Sequence, residues 1–297
     1  MPVVAQNRVY TFGAEGQMRA LDLATGKEVW AVDTMRRFHV RKGYFGAAGS
    51  PLVEDGRVIA NVGGDNNAGI VAFNADTGAV LWTATNHEAS YSSPVSATFG
   101  GRKAVVFFTR QGLVALDPAN GAVRFQKSWR SRSQASVNAA SPVVAGDLIF
   151  VSATYETGAA LLRVKDDVLS ELWSSDEAMS NHYATSVLHN GVLYGFHGRQ
   201  EFNPSLRAVD LNTGKVRWSE DRFRAGTVTL AGDKLVILRE SGELVIADAS
   251  PQAFRPIARA QILPPTLRAY PAIADGFLYV RNSDTGGHDQ LVALDLR

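Results

Sequence analysis

The stretch Ala20-Leu21-Asp22-Leu23-Ala24-Thr25-Gly26-Lys27-Glu28-Val29-Trp30 decides the fold of this chain. Its two leucines alternate with other residues, as in a half-buried β-strand. Asp22 can accept hydrogen bonds from a turn backbone, and Gly26 allows the positive φ that a tight turn needs. The stretch then resumes extended structure and ends on Trp30, a large ring that must be buried. It therefore predicts two strands joined by a turn.

The same pattern recurs along the whole chain at spacings of 41 to 49 residues. Each copy opens on a small residue, a proline or its substitute, and an apolar residue. The copies begin at Pro2, Pro51, Pro94, Pro142, Ser186, Thr227 and Pro271. In five copies an aromatic residue follows the first turn residue by eight positions: the pairs are Asp22–Trp30, Asn74–Trp82, Asp117–Phe125, Lys165–Trp173 and Asp210–Trp218.

Each copy has room for four short strands. Four strands per unit at this period are typical of a β-propeller, in which each unit is one antiparallel blade. We therefore predict an all-β fold: a single propeller domain over residues 1–297, built of four-stranded antiparallel blades with seven repeats visible. No segment combines apolar residues at helical spacing with capping residues, so no helix is predicted.

The repeat also resembles a known family. The motif Ala-x-Asp-x-x-Thr-Gly-x-x-x-Trp, strongest at Ala20–Trp30, Ala72–Trp82 and Ala208–Trp218, is similar to the tryptophan-docking repeat of quinoprotein-like propellers. Within that superfamily, the single-domain, cysteine-free pattern resembles the non-catalytic PQQ-binding-like, BamB-like repeat proteins. The resemblance implies a structural docking ring between neighbouring blades at Trp30, Trp82, Phe125, Trp173 and Trp218.

Composition excludes several classes of function. The 30 Lys and Arg against 29 Asp and Glu give a net charge of +1, without the basic excess typical of nucleic-acid binding. The absence of cysteine rules out disulfides, cysteine-ligated metals and thiol catalysis. No apolar run reaches the roughly 20 residues of a membrane helix, so no membrane span is predicted. We expect a monomer with a large apolar core.

Both ends of the chain look abrupt. Residues 1–10 lack the basic and apolar regions of a signal peptide and read directly as strands. The seventh copy stops at Arg297, before any fourth strand. We therefore expect the natural protein to extend upstream, to close a ring of seven or eight blades, and to carry an export signal there. The expected location is periplasmic or secreted.

Function should lie in the linkers that join the fourth strand of one blade to the first strand of the next. In a propeller these linkers cross one face and surround the axial funnel; we call this surface the funnel face. Its candidate ligand-binding residues are His39, Arg41, Tyr44, His87, Tyr91, Arg132, Asn138, His182, Tyr183, Arg224, Arg268 and Tyr270. Arginine, histidine and aromatic rings suit a small anionic or aromatic ligand, or an acidic loop of a protein partner.

Catalytic and metal-binding alternatives find less support. His39, His87 and His182 could converge on a metal, but no pair has metal-ligand spacing within one element, so no metal is predicted. The catalytic quinoproteins that this repeat resembles have, in addition, a vicinal cysteine disulfide, a calcium site and a catalytic aspartate. Since cysteine is absent, we predict no catalytic residue and no cofactor, with PQQ and calcium as the weaker alternative.

The leading prediction is a non-enzymatic, exported scaffold that binds a protein or a small ligand through its funnel face. A quinoprotein-like, PQQ-dependent oxidoreductase with a degenerate site is the first alternative. A propeller polysaccharide lyase or hydrolase is the second, and it depends on fold analogy alone.

Overall fold

A computed structural model describes residues 1–41, 43, 46–47, 49–133, 138–283, 287 and 289–297. The candidate Tyr44 lies outside the described residues. Contacts between Cα atoms divide the chain into two compact units, Met1–Leu172 (unit one) and Trp173–Arg297 (unit two). Among the described residues, no helix has the length and apolar character needed to cross a membrane.

Unit one holds the first three blades and most of the fourth. Blade one comprises β1 (Val3–Ala5), β2 (Arg8–Phe12), β3 (Gln17–Asp22) and β4 (Glu28–Asp33). Blade two comprises β5 (Leu52–Glu54), β6 (Arg57–Asn61), β7 (Ile70–Asn74) and β8 (Val80–Ala84). Blade three comprises β9 (Val95–Phe99), β10 (Arg102–Thr109), β11 (Gly112–Leu116) and β12 (Val123–Ser128). Blade four comprises β13 (Val143–Ala145), β14 (Leu148–Ala153), β15 (Gly158–Lys165) and β16 (Val168–Ser175). The boundary between the units falls within β16.

Unit two holds the remaining blades. Blade five comprises β17 (Val187–His189), β18 (Val192–His197), β19 (Ser205–Asp210) and β20 (Val216–Glu220). Blade six comprises β21 (Gly226–Ala231), β22 (Lys234–Arg239), β23 (Glu243–Asp248) and β24 (Arg255–Gln261). Blade seven comprises β25 (Ala272–Ala274), β26 (Phe277–Arg281) and β27 (Leu291–Asp295). A 3₁₀ turn at Gln200–Phe202 lies in the hairpin between β18 and β19 of blade five.

These sheets confirm the predicted all-β propeller with seven blades. Within each sheet the strands are hydrogen-bonded in chain order, six sheets having four strands and blade seven having three among the described residues. The prediction that the chain contains no helix is wrong at one place: Thr34–Arg37 forms a single helical turn, α1. Asp33 caps it by accepting a hydrogen bond from the backbone N–H of Arg36 at 3.0 Å. Four residues are too few to show a helical period in the sequence.

The repeat motif has a direct structural cause. Ala20 lies opposite Trp30 in the β3–β4 pair and is fully buried, so its small side chain leaves room for the indole. A register shift follows Ala20, and equivalent shifts follow Ala72 and Ala208 in their blades. In the turn, Asp22 Oδ1 accepts hydrogen bonds from both the backbone N–H and the hydroxyl of Thr25, at 2.8 and 2.7 Å. The Ala-x-Asp-x-x-Thr-Gly pattern therefore fixes both the turn and the position of the ring.

The indoles join consecutive blades. Four of the five indoles donate from Nε1 to a carbonyl in the turn between the third and fourth strands of the next blade: Trp30 to Ala75 (2.9 Å), Trp82 to Pro118 (3.0 Å), Trp173 to Leu211 (2.8 Å) and Trp218 to Ser250 (2.8 Å). The apolar residues around each ring form cores shared by two blades; Trp30, for example, packs with Val58, Val71 and Phe73 of blade two. Burial of these apolar side chains is the main stabilising contribution of the inter-blade contacts.

Blades three and six depart from this pattern. Phe125 occupies the ring position of blade three and has no indole N–H to donate. In blade six the strand register places Ala258, rather than an aromatic residue, opposite Ile246. The nearby Phe254 instead packs on Trp218 of blade five, with ring centroids 5.8 Å apart.

The residues that precede the repeat prolines also connect blades in unit one. The backbone N–H of Ser50 donates to Ser93 Oγ, and that of Ser93 donates to Ser141 Oγ, both at 3.1 Å. The amino group of Met1 donates to Ser50 Oγ at 2.5 Å. The first strands of these blades are in contact with one another, so the ladder follows the inner edge of the sheets.

Candidate functional site

The funnel face is formed by two kinds of segment: the linkers between blades and a set of hairpins within the blades. Because the four strands of a blade alternate in direction, the linkers between blades end on the same side as the hairpins between the second and third strands. Contacts confirm this adjacency: Thr34 Oγ1 donates to the carbonyl of Gly16 at 2.7 Å, and Ser131 Oγ donates to that of Tyr155 at 2.7 Å. The linker residues alone therefore describe only one of the two kinds of segment on this surface.

In unit one the structure brings three predicted residues together. His87 Nδ1 lies 2.9 Å from Thr109 Oγ1, and Asn138 Nδ2 donates to the carbonyl of Thr109 at 2.8 Å. The carbonyl of Asn138 accepts from the backbone N–H of Tyr91 at 3.3 Å. Asn138 also donates to the carbonyl of Trp129 at 2.9 Å and is fully buried, so it holds the linker in place.

Three other described candidates of unit one lie at exposed positions. His39, Arg41 and Arg132 are exposed on the linkers. His39 has a positive φ of 51°, so it lies in the left-handed region where its backbone reverses direction. These three side chains are available to solvent and to a partner.

In unit two, two predicted residues meet at a residue that the sequence analysis missed. Tyr183 Oη donates to Glu240 Oε1 at 2.7 Å, and Arg268 Nε donates to the same oxygen at 2.8 Å. Glu240 lies in the hairpin between β22 and β23, and its carbonyl accepts from the backbone N–H of Leu267 at 3.1 Å. One carboxylate thus joins the linker that enters blade five, the hairpin of blade six and the linker that enters blade seven. Counting strand directions could have placed this hairpin on the funnel face.

The other candidates of unit two divide between buried and exposed positions. His182 Nδ1 is hydrogen-bonded to Gln200 Oε1. Tyr270 Oη accepts from the backbone N–H of Thr185 at 2.5 Å. Arg224 is exposed, and its backbone N–H donates to the carbonyl of Pro204 at 3.1 Å. Beside it, Phe202 in the hairpin of blade five is 73% exposed and lies under the guanidinium of Arg199, 5.4 Å from the ring centroid.

Burial sets the protonation of several of these groups. It lowers the pKa values of His87 and His182, which favours neutral imidazoles at physiological pH. It raises the pKa of Tyr183, and the hydrogen bond to Glu240 acts in the same direction. It also raises the pKa of Tyr270. The phenols of Tyr183 and Tyr270 therefore remain protonated and uncharged.

The resemblance to quinoproteins calls for a test of whether these residues fit a quinone held by calcium. The described part of the chain contains no group of three or more histidine, aspartate or glutamate residues that could hold a metal ion. The one carboxylate at the centre of the Tyr183 and Arg268 contacts, Glu240, is already paired with Arg268. The described residues around Glu240 do not supply the six to eight oxygen ligands that a calcium ion requires.

Comparison with known proteins identifies the family. The family profile described as "Outer membrane protein assembly factor BamB" matches residues 1–220 and 202–297. The chain belongs to this family. A curated relative, the outer membrane protein assembly factor BamB of Yersinia pestis, is 24% identical over 300 residues, covering 94% of this chain and 72% of the relative. The BamB of Escherichia coli strain K12 is 26% identical over 261 residues, or 82% of this chain and 62% of that protein.

Solved structures show the same fold. The crystal structure of BamB from Moraxella catarrhalis superposes with a TM-score of 0.66 at 18% identity, over 93% of this chain and 76% of that one. Quinohemoprotein alcohol dehydrogenase from Comamonas testosteroni gives a TM-score of 0.65 at 15% identity, over 95% of this chain and 62% of that one. At these identities the likeness concerns the propeller fold. The chain spans between 62% and 72% of the length of the BamB relatives it matches.

Proposed function

We propose that the chain is a non-enzymatic scaffold that binds a protein partner through its funnel face during the assembly of outer membrane proteins. Membership of the BamB family supports this function, because its curated relatives are named as outer membrane protein assembly factors. The same relationship supports a periplasmic location after export from a bacterial cytoplasm. We propose no cofactor, no catalytic residue and a monomeric state in the absence of the partner.

The observation that carries the proposal is the exposed aromatic group of the funnel face in unit two. Phe202 presents most of its ring to solvent, with Arg199 over the ring and Arg224 in the adjacent linker. Exposed aromatic and arginine side chains dominate the energetics of protein interfaces. The hydrogen bonds of Tyr183 and Arg268 to Glu240 hold the neighbouring linkers, which reduces the entropy lost when a partner binds.

Site-specific photocrosslinking tests the proposal. A photoreactive phenylalanine replaces Phe202 or Arg224 on the funnel face and, as a control, Lys215 or Asn190 on the opposite ends of the same blade. The protein is expressed from its full gene in its own bacterium, and crosslinked species are identified by mass spectrometry. We expect the two funnel-face positions to crosslink to a component of the outer membrane assembly machinery. Crosslinks from the control positions alone, or to no such component, would refute the proposal.

A substitution measures the contribution of the exposed ring. Phe202→Ala should weaken binding of the crosslinked partner at least ~10-fold, the size expected of an interface hot spot. Val216→Ala is the matched control, since Val216 is also exposed but lies on β20, away from the funnel face. Equal affinities for the two variants would assign the interface to another surface.

A further inference from the structure

A pocket of about 300 Å³ lies on the funnel face of unit two, between the linker that enters blade seven and the end of β26. Its lining residues are Thr266, Arg268, Ala269, Arg281, Asn282 and Ser283. Backbone hydrogen bonds connect the two walls: Ser283 N–H donates to the carbonyl of Thr266 at 2.9 Å, and Thr266 N–H donates to that of Ser283 at 3.4 Å. The pocket therefore has a defined frame.

The polar lining of the pocket consists of groups that can donate hydrogen bonds. They are two guanidiniums, one carboxamide and two hydroxyls, and none of the described lining residues is acidic. Arg268 uses Nε to bind Glu240, which also fixes the direction of its guanidinium and offsets its charge. Arg281 is exposed and forms no ion pair with any described residue. Among the described lining residues, Arg281 is thus the cation without an acidic partner.

Asn282 supplies a second, independent sign of a ligand. The residue is only 1% exposed, and its Oδ1 accepts from the backbone N–H of Gln290 at 2.7 Å. Its Nδ2 is buried and has no hydrogen-bond partner among the described residues. A buried amide donor without a protein acceptor destabilises a folded protein, and Asn282 is one of the residues that line the pocket.

We propose that this pocket binds a carboxylate, with Arg281 and Arg268 pairing with its oxygens and Asn282 Nδ2 donating to it. A planar carboxylate matches the fork of a guanidinium, and its single negative charge matches the cation of Arg281, which has no acidic partner among the described residues. The inference deepens the proposed function and rests on it in one respect: the carboxylate belongs to an acidic side chain of the protein partner. A free small carboxylate is the other source with the same chemistry.

Titration of the ¹⁵N-labelled full chain tests the site, followed by the NMR signals of the arginine Nε–H groups and the Asn282 amide. The probes are acetate, the peptide acetyl-Gly-Glu-Gly-amide, its glutamine counterpart, and inorganic phosphate. We expect saturable shifts at Arg268, Arg281 and Asn282 with acetate and with the glutamate peptide, the peptide binding more tightly. Arg281→Gln should weaken both at least ~10-fold. Arg255→Gln, on the exposed strand β24, is the matched control and should leave them unchanged.

Several outcomes would overturn the proposal. Absence of saturable shifts with both carboxylate probes would do so, as would equal binding of the glutamine peptide or binding of phosphate alone. Thermal unfolding of Arg281→Gln shows whether the exposed substitution leaves the fold intact. Asn282→Asp, which introduces a negative charge at the wall, should also reduce acetate binding if it folds.

Crosslinking of the partner distinguishes this inference from the proposed function. If Arg281→Gln loses the peptide while funnel-face crosslinks to the assembly machinery persist at wild-type yield, the proposed function stands and the partner is refuted as the source of the carboxylate. If carboxylates bind but no partner crosslinks at all, the proposed function fails and the pocket is a site for a free carboxylate.

Discussion

At the scale of single residues, the carbonyl that accepts each indole proton determines what the tryptophan contributes. The carbonyl of Ala75 accepts from Trp30 and also from Arg8 Nη1 at 2.9 Å and Tyr10 Oη at 3.2 Å. The carbonyl of Pro118 accepts from Trp82, with no second donor among the side chains of the described residues. Loss of the indole N–H therefore leaves the carbonyl of Pro118 without a side-chain donor, whereas the carbonyl of Ala75 keeps its other two donors.

This difference predicts unequal costs for the same substitution. Trp30→Phe should lower the free energy of unfolding through the lost hydrogen bond by about 1 kcal/mol, whereas Trp82→Phe should cost about 1–3 kcal/mol more because an acceptor is left unpaired beneath the ring. Both variants lose the same ring volume, so each controls for the other. Urea unfolding followed by circular dichroism measures the two values. Equal losses would show that ring packing alone sets the contribution.

The turn glycines offer a second comparison. Gly26 and Gly78 both have φ near +69°, so both resist substitution on backbone grounds. A Cβ added at Gly78 would lie 2.7 Å from Trp30 Cε3, whereas one added at Gly26 meets nothing within 4 Å. Gly78 therefore serves both the turn and the docked ring.

We expect Gly26→Ala to cost about 1 kcal/mol of unfolding free energy, the penalty of the left-handed backbone. Gly78→Ala should cost about 2 kcal/mol more, because the indole must move to admit the methyl group. Near-ultraviolet circular dichroism should register the displaced tryptophan only in Gly78→Ala. Similar values and similar spectra for the two variants would contradict the steric explanation.

At the scale of elements, blade four replaces the docking turn by a two-residue hairpin turn. Asp166 and Asp167 have φ values of 51° and 60°, both in the left-handed region that such turns require. Arg124, next to Phe125, donates from Nη2 and Nε to Asp167 Oδ1 at 2.6 and 3.1 Å. The ion pair therefore joins blades three and four at the place where an indole joins other blades.

Asp167→Asn should destabilise the protein in a pH-dependent manner. The hydrogen bond from Arg124 lowers the pKa of Asp167 below its ordinary value, so its contribution is present above about pH 4 and declines as the pH falls through the lowered pKa. The difference in unfolding free energy between wild type and Asp167→Asn should therefore be largest at pH 7 and shrink toward pH 3. Asp166→Asn is the matched control in the same turn. A difference that is constant with pH would contradict the ion-pair explanation.

The strands are well predicted from the sequence because the same strand pattern recurs in several copies of the repeat. Blades with a degenerate motif can still be located from the positions of the copies before and after them. The spacing between the alanine and the tryptophan of the motif follows from the register shift after the alanine. The candidate site is predicted less completely. Glu240 precedes Ser-Gly, a pair typical of an ordinary hairpin turn, so nothing in the sequence marks it as a site residue. The burial of Asn282 depends on its hydrogen bond with Gln290, which no local sequence pattern predicts. A four-residue helix such as α1 is likewise too short for a period.

At the scale of the whole molecule, corresponding residues of successive strands lie opposite one another and form a row across each blade. Blades five and seven differ in the residues of this row. In blade five the row is Val187, Tyr194, Ala208 and Trp218, with the two rings 6.0 Å apart. In blade seven the row is Ala272, Tyr279 and Ala293. Tyr194 is fully buried, whereas Tyr279 is 39% exposed. Among the described residues, the row of blade seven holds no tryptophan, and its tyrosine is open to solvent.

A strand designed to pair with β27 should bury that tyrosine. Residues Thr213–Glu220 repeated after Arg297 would continue the match between Ala293–Arg297 and residues 208–212, and Arg297 N–H already donates to Asp295 Oδ1 at 3.0 Å, as in a repeat turn. We expect the extended chain to unfold at higher urea concentration, with the added indole emitting at shorter wavelength than in water. Replacing that indole by serine should lower the unfolding free energy of the extended chain by about 3 kcal/mol, the cost of removing a buried tryptophan. If the two extensions unfold alike and Tyr279 stays accessible, the repeat row does not direct strand addition at this edge.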